Sequence, residues 1–154
     1  MRIAGIDADS KKLAVVVFED DKFDSMHFFE SKSKITQERV FDLYFHFDSF
    51  IKSSKIDMVV MEESFYTNNF KTSKAITEVL GNCKMICRLN NIPFKMVQNR
   101  SWKKTVIGSG DATKDGIKRF VVDRYPQFER EPQDLSDALC VCLYGVFTKL
   151  RGDD

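Results

Sequence analysis

Apolar residues near the start of the chain fall into short runs separated by brief polar turns. Three runs rich in β-branched and aromatic residues follow one another: Arg2–Asp7, Leu13–Phe18 and Phe23–Glu30. Such runs with short connections predict three strands in an antiparallel meander. A fourth run, Asp57–Met61, has the pattern of a buried strand. Because a helical pattern precedes it, we expect it to lie parallel to the first strand.

The rest of the chain is mostly helical in pattern. Apolar residues recur every three or four positions through Thr36–Ser53 and Thr72–Asn90, which predicts two long helices. The pattern then predicts one short strand and three more helices, at Pro93–Val97, Arg100–Ile107, Thr113–Tyr125 and Asp134–Leu150. This order predicts an α/β fold with a mixed five-stranded sheet flanked by helices. The length of 154 residues predicts a single domain, residues 1–154.

Composition is that of an ordinary globular protein, with 43% hydrophobic and 31% charged residues. No apolar run approaches the length of a membrane span, and the first residues lack the pattern of a signal peptide. We therefore expect a cytoplasmic protein without a membrane partner. The four cysteines lie within helical apolar patterns and lack the spacing of zinc ligands, so we expect them in the core.

Charge is distributed unevenly along the chain. The net charge of +1 argues against a generic nucleic-acid binder. Residues 67–124, however, carry 12 Lys and Arg against 4 Asp and Glu, whereas acidic residues are in excess in 1–66 and 125–154. A basic middle between acidic flanks is compatible with a phosphate-binding face beside a cluster of carboxylates, and also with an ordinary solvated surface.

Four acidic residues are distinguished by their positions in the predicted elements. Asp7 ends the first strand and Glu62 ends the fourth, while Asp134 and Asp137 lie one helical turn apart at the start of the last helix. If the two strands are neighbours, their ends meet at one edge of the sheet. Carboxylates gathered there would suit Mg²⁺, which prefers oxygen ligands and leaves positions for water and phosphate.

The same residues also have plain structural explanations. Asp134 could be the N-cap of the last helix with Asp137 as its partner three residues on, because acids favour helix starts. Asp7 could stabilise a turn. Each explanation is plausible for its own residue, but the four acids together with the basic middle favour a catalytic site.

Four blocks of sequence resemble the RuvC family of Holliday-junction resolvases, in that family's order and spacing: GIDADS at 5–10, VVMEESFYTNN at 59–69, WKKTVIGSGDATKDGI at 102–117 and DLSDAL at 134–139. The resemblance implies an RNase H-like fold, a homodimer, and cleavage of four-way DNA junctions with Mg²⁺ or Mn²⁺. A compact chain rich in Lys, Phe and Asn suggests a phage or low-GC bacterial form.

The resemblance also implies roles for single residues. The catalytic, metal-binding carboxylates of the family fall on Asp7, Glu62, Asp134 and Asp137. Lys114 would lie near the scissile phosphate as a further catalytic residue, and Phe65 would enter the open junction. The helix at 72–90 corresponds to the dimer helix of the family. The chain departs from the family's Asp-Pro-Gly turn with Ala8 and Asp9, and it has Glu63 where Gln is common, so Glu62 is assigned by register alone.

The predicted DNA-binding set combines the resemblance with the basic middle of the chain. Phe65 can stack on an unpaired base, and the cations can contact phosphates. The set is Phe65, Asn69, Lys103, Lys104, Lys114, Lys118 and Arg119. Trp102 heads an amphipathic turn and is expected in the core rather than on a base.

The predicted chemistry is two-metal hydrolysis of a phosphodiester, with Asp7 bridging two Mg²⁺ ions. The resemblance implies paired symmetric nicks with 5′-phosphate and 3′-hydroxyl ends. Two alternatives stay open: a broader nuclease of the same fold that cuts flaps, forks or RNA–DNA hybrids, and a non-catalytic junction-binding protein. A branch-migration motor would leave no motif in this sequence.

Overall fold

The computed structural model describes residues 1–64 and 68–152 of the protein. Five strands form one sheet: β1 (Arg2–Ala8), β2 (Lys12–Glu19), β3 (Lys22–Glu30), β4 (Met58–Glu62) and β5 (Phe94–Val97). The strand order is β3-β2-β1-β4-β5. β1, β2 and β3 are antiparallel, whereas β4 and β5 run parallel to β1. The predicted meander, the parallel fourth strand and the mixed five-stranded sheet are therefore confirmed.

The principal helices are α1 (Thr36–Ser54), α2 (Phe70–Leu89), α3 (Asn99–Trp102), α4 (Lys114–Arg124) and α5 (Gln133–Leu150). Most bounds agree with the periodicity to within one or two residues. Within the described ranges, no helix is long and apolar enough to cross a membrane.

The segment predicted as one short helix at 100–107 is built differently. α3 ends at Trp102, and the chain continues as a single wider π-helical turn, Lys103–Ile107. The backbone N–H of Gly108 donates to the carbonyls of both Lys103 and Lys104, each at 3.1 Å. Gly108 has φ = 104°, a left-handed conformation that favours glycine and ends the turn. Single π turns of this kind are frequent at functional sites.

The sheet separates two apolar layers, because successive side chains of a strand point to opposite faces. Ile6 of β1 and Met61 of β4 pack against α1 and α2. Ile3 of β1 and Val60 of β4 pack on the other face, against α5 and the segment from α3 to α4. Alternate residues of one strand thus belong to different layers, and the end of each strand inherits this alternation.

α5 lies unusually close to the sheet at one point. A Cβ atom added to Gly5 of β1 would lie 2.3 Å from the backbone nitrogen of Cys142 and 2.5 Å from the carbonyl oxygen of Ala138. The Cys142 thiol also donates to the carbonyl of Ile3 at 3.3 Å. Only a residue without a side chain allows this approach of helix to strand.

The cysteines occupy the core positions that their patterns predict. Cys83 and Cys87 are buried between α2 and the sheet, and Cys140 and Cys142 are buried on the other face. Burial raises the pKa of the Cys87 and Cys142 thiols to about 12. These groups are protonated core residues at neutral pH.

Substitution Gly5→Ala should destabilise the protein strongly, because the atoms that a Cβ would meet include backbone atoms of α5 that cannot rotate away. We expect a loss of about 3 kcal/mol in the free energy of unfolding, at the upper end for overpacking, measured by urea denaturation. Gly81→Ala is the control: no atom lies within 4 Å of its added Cβ. In the helix interior it should stabilise by about 0.5–1 kcal/mol. Equal effects of the two variants would contradict the close contact.

Candidate active site

Two of the predicted carboxylates lie at the same edge of the sheet. Ile6 of β1 is paired with Met61 of β4, so Asp7 and Glu62 come next along two neighbouring parallel strands. Strand alternation places both on the face that packs against α5, since Gly5 and Val60, two residues earlier in each strand, contact that helix. The expected convergence of the two strand ends is therefore present.

α5 brings the other two carboxylates to this edge. Its first residue is Gln133, and Pro132 occupies the N-cap position without a side-chain hydrogen bond. Asp134 and Asp137 therefore lie inside the helix, and the alternative that they are an N-cap and its partner is wrong. Proline at this position leaves the first-turn side chains free for the face they share with the strand ends.

The turn after β1 does not use Asp7 either. Asp9 accepts hydrogen bonds from the backbone N–H and the hydroxyl of Ser10, and its own backbone N–H donates to the carbonyl of Lys12 at 2.9 Å. Asp7 remains within β1, paired with Ala14 of β2. Asp9 thus performs the turn-forming role considered for Asp7, which leaves the Asp7 carboxylate to the cluster.

The carboxylates influence one another strongly. Burial raises the pKa of Asp7 well above its ordinary value, and the nearby charges of Glu62, Asp137, Asp134 and Asp9 raise it further. Burial likewise raises the pKa of Asp137 to about 6, and Glu62 and Asp134 add to the rise. Negative charge gathered at a desolvated edge is unfavourable unless a proton or a cation compensates it.

Protein donors partly satisfy these acids. Trp102 Nε1 donates to Glu62 Oε2 at 2.5 Å, and Asn99 Nδ2 donates to Glu62 Oε1 at 3.4 Å. Burial raises the pKa of Glu62, and these two hydrogen bonds oppose the rise. Glu63 is exposed, and its backbone N–H donates to the carbonyl of Val97. The geometry thus places Glu62 rather than Glu63 in the cluster.

The two α5 carboxylates have partners of their own. Gln133 Nε2 donates to Asp137 Oδ1 at 3.2 Å. The ammonium of Lys12, at the start of β2, lies 3.7 Å from Asp134 Oδ2. Both pairs are partly solvated, so each contributes little to stability by itself.

The donor chemistry suits a hard divalent cation, because the cluster offers carboxylate oxygens whose mutual repulsion a cation would relieve. A cleft of about 240 Å³ opens beside them, lined by Asp7, Asp9, Glu62 and Asp134 together with α2. Among residues 1–64 and 68–152, no three His, Cys, Asp or Glu side chains stand in an arrangement that holds an ion as they are. A cation would therefore draw the carboxylates inward from their present protein donors.

The predicted phosphate contacts differ in their surroundings. The Lys103 ammonium lies 5.7 Å from the centre of the Trp102 ring, and its charge lowers the pKa of both Glu62 and Asp137. Lys103 is thus at the carboxylate cluster. Lys104, Lys114 and Arg119 are exposed, the last two on α4, and their DNA contacts stay predictions.

Lys118 does not fit the predicted group. Its ammonium donates to the carbonyl oxygens of Phe128 and Glu131, both at 2.6 Å. These bonds tie α4 to the segment before α5, in a partly buried position. The expected phosphate contact of Lys118 is therefore replaced by a structural role, because two of its three N–H groups are already used within the protein.

The remaining predicted contacts lie at the start of α2. Asn69 is the N-cap of this helix, and its side-chain oxygen accepts from the backbone N–H of Thr72 at 3.2 Å. Its cap role does not test a DNA contact. Phe65 lies outside the described residues, so its insertion into the junction also stays a prediction.

Comparison with known proteins gives the family. The model of the family described as crossover junction endodeoxyribonuclease RuvC matches residues 3–144. The chain belongs to this family. Crossover junction endodeoxyribonuclease RuvC of Aliarcobacter butzleri is 30% identical over 151 residues, which cover 93% of this chain and 96% of the relative. That of Fusobacterium nucleatum is 26% identical over 149 residues, covering 93% and 78%.

A solved structure shows the same fold. Thermus thermophilus RuvC in complex with Holliday junction substrate matches 99% of this chain and 96% of its own, with a TM-score of 0.85 at 20% identity. The RNase H-like fold expected from the sequence blocks is confirmed. The RuvC family is dependent on divalent metal, in agreement with the oxygen donors gathered at the sheet edge.

Several residues of the site were missed by sequence reasoning. Trp102 was correctly expected in the core, but its hydrogen bond to Glu62 has no sequence signal beyond its place directly before Lys103. Asn99, Gln133 and Lys12 were not singled out. Gln133 could have been found, because it lies four residues before Asp137 on one helix face.

The raised pKa of Asp137 predicts a pH-dependent stability in metal-free protein. Its ordinary value is 3.8, and in the fold it is about 6, so between these values the folded state holds a proton that the unfolded chain has released. The stabilising contribution of this group is therefore present at low pH and lost as pH rises through about 6. Asp137→Asn should remove the loss and stabilise the protein at pH 7.5 by on the order of 2 kcal/mol.

The measurement is urea denaturation of both proteins in chelator at pH 5 and pH 7.5. The difference between the proteins isolates Asp137 from other titrating groups. Asp123→Asn, at an exposed position of α4, is the control and should change nothing. A wild-type advantage at pH 7.5 would contradict the electrostatic description of the cluster.

Proposed function

We propose that this protein is a divalent-metal-dependent endonuclease that resolves four-way (Holliday) junctions by paired symmetric nicks. The observation that carries the proposal is the meeting of Asp7, Glu62, Asp134 and Asp137 from three elements at one sheet edge. The chain's membership of the crossover junction endodeoxyribonuclease family supports it. Because the substrate is DNA, we expect the enzyme to act in the cytoplasm of a bacterial cell or of a phage-infected host.

We assign the metal site to the four carboxylates and Mg²⁺ as its occupant, with Mn²⁺ able to substitute because the two ions accept similar ligands. When bound, the metal would supply Lewis-acid stabilisation of the charge that develops on the scissile phosphate. The protein's contribution is a desolvated edge whose acids are poorly satisfied without a cation. Trp102 and Asn99 hold Glu62 at this edge, and Gln133 holds Asp137.

We assign the DNA-binding face to cations on one stretch of chain. Lys103 adjoins the carboxylates, and Lys104, Lys114 and Arg119 are exposed around it in sequence. Lys114 is our candidate for the residue near the scissile phosphate. Exposed cations of this kind position the phosphate backbone without reading bases. Phe65 is our candidate for the side chain that stacks on an unpaired base.

We further propose that the active form is a homodimer. Paired nicks need two active sites, and the described part of the chain has one carboxylate cluster. Phe41 and Phe45 of α1 are 53% and 64% exposed, and Met85 and Leu89 of α2 are 56% and 69% exposed. A groove lined in part by Phe41, Phe45 and Asn82 joins the two helices. A contiguous apolar face of this kind is typical of an interface, and we assign a second copy of the chain to it.

Asp7→Asn tests the catalytic assignment. The substitution removes the charge at the centre of the cluster while keeping the side-chain shape. We expect no detectable cleavage of a labelled synthetic four-way junction in Mg²⁺, with junction binding retained because the cations are untouched. The same gels with Mn²⁺ and with chelator test the metal requirement. A variant that still cleaves would contradict the role of Asp7.

The substrate panel separates the proposed activity from its alternatives. Linear duplex, flap and RNA–DNA hybrid are incubated beside the junction with wild-type protein. Paired, symmetric, metal-dependent nicks confined to the junction support a resolvase. Comparable cutting of flaps or hybrids would identify a broader nuclease of the same fold. Tight junction binding without cutting would identify a binding protein.

Phe45→Glu tests the proposed dimer. A charge at the centre of the apolar face should be incompatible with burial against a second copy. We expect light scattering to give the mass of a monomer, and junction cleavage to lose its paired nicks. Ile35→Glu is the control, because Ile35 is 58% exposed but lies outside this face, before the first residue of α1. A Phe45→Glu protein that stays dimeric would place the interface elsewhere.

A further inference from the structure

Trp102 is the only tryptophan of the chain, and it is fully buried. A buried indole N–H needs an acceptor, and this one donates to a carboxylate oxygen of Glu62 at 2.5 Å. A hydrogen bond to a charged acceptor is stronger than one between neutral groups. The largest fully buried side chain of the core thus ends on one of the acids that form the cluster.

This hydrogen bond joins two parts of the site. Glu62 is the last residue of β4, whereas Trp102 is the last residue of α3 and directly precedes the π-helical turn. Lys103, the next residue, holds its ammonium over the indole ring. Asn99, one turn earlier on α3, approaches the other oxygen of Glu62 at 3.4 Å. The α3 segment therefore grips the Glu62 carboxylate from one side.

We propose that Trp102 is a positioning residue that fixes the Glu62 carboxylate and thereby sets the affinity of the site for a divalent cation. The inference rests on the proposed function, since it assumes that the carboxylate cluster binds the cation. A carboxylate has about four lone-pair positions, so two protein donors leave others for a metal. The terminal torsion of Glu is broad, and the indole, itself locked by the core, determines which lone pairs face Asp7.

The position of Trp102 also makes it an optical reporter. A cation that takes up Glu62 changes the charge at the acceptor of the indole N–H. All tryptophan emission of the protein comes from this one residue. Binding of Mg²⁺, which has no absorbance of its own, should therefore change the emission of the full-length protein without DNA.

The first experiment titrates Mg²⁺ into the wild-type protein while recording tryptophan emission, with calorimetry on the same samples. We expect a saturable change whose midpoint equals the calorimetric dissociation constant. Asp7→Asn should flatten both signals, because the cluster then lacks its central acid. Calorimetric binding without any change of emission would overturn the inference.

The second experiment measures Mg²⁺ affinity of Trp102→Phe by calorimetry. Phenylalanine keeps an aromatic ring in the core but has no N–H. Loss of an outer hydrogen bond to a metal ligand typically weakens binding by about 10–100-fold, and we expect a change of at least about tenfold here. Phe128→Leu is the matched control: it trims another fully buried aromatic, packed against Phe23 and Tyr125, and should keep wild-type affinity.

The outcomes separate the inference from the proposed function. A folded Trp102→Phe protein with unchanged Mg²⁺ affinity would overturn the role of Trp102 while wild-type cleavage of the junction still stood. A wild-type protein that neither binds Mg²⁺ nor cleaves would overturn both. If circular dichroism shows that Trp102→Phe does not fold, the emission titration of the wild-type protein decides alone.

Discussion

The contact between α5 and β1 at Gly5 determines whether a carboxylate cluster can form at all. Asp7 follows Gly5 by two residues on the same face of β1, and Ala138, whose carbonyl nearly touches Gly5, follows Asp137 directly on α5. The acids of strand and helix are therefore brought together by backbone packing rather than by attraction between side chains. A residue with a Cβ at position 5 would move the helix away, and the acids with it.

This packing has an electrostatic consequence. Carboxylates forced together at a desolvated edge raise one another's pKa, as Asp7 and Asp137 demonstrate. Such a cluster destabilises the metal-free fold, and hydrogen bonds from Trp102 and Gln133 offset only part of that cost. The same repulsion favours binding of a cation, so stability without metal is exchanged for affinity with it.

The sequence pattern could predict what depends on neighbouring residues. The ends of two apolar runs placed Asp7 and Glu62 correctly at one edge, because strand period and parallel pairing are local rules. It could not predict that Trp102 reaches Glu62, or that Lys118 is bound by two carbonyls, since both contacts join distant segments. The start of α5 at Gln133 was misjudged because acids at helix starts are common caps.

The basic middle of the chain illustrates how far charge counting can mislead. Lys118 is bound within the fold, and Arg100 is paired with Asp111 at 2.7 Å. Lys103 lies among the acids of the cluster, where its charge first offsets theirs. The excess of cations in this region therefore overstates the charge that faces a phosphate backbone. Because each neutralised phosphate contributes to the salt dependence of DNA binding, the affinity of this protein should depend on salt less steeply than its composition implies.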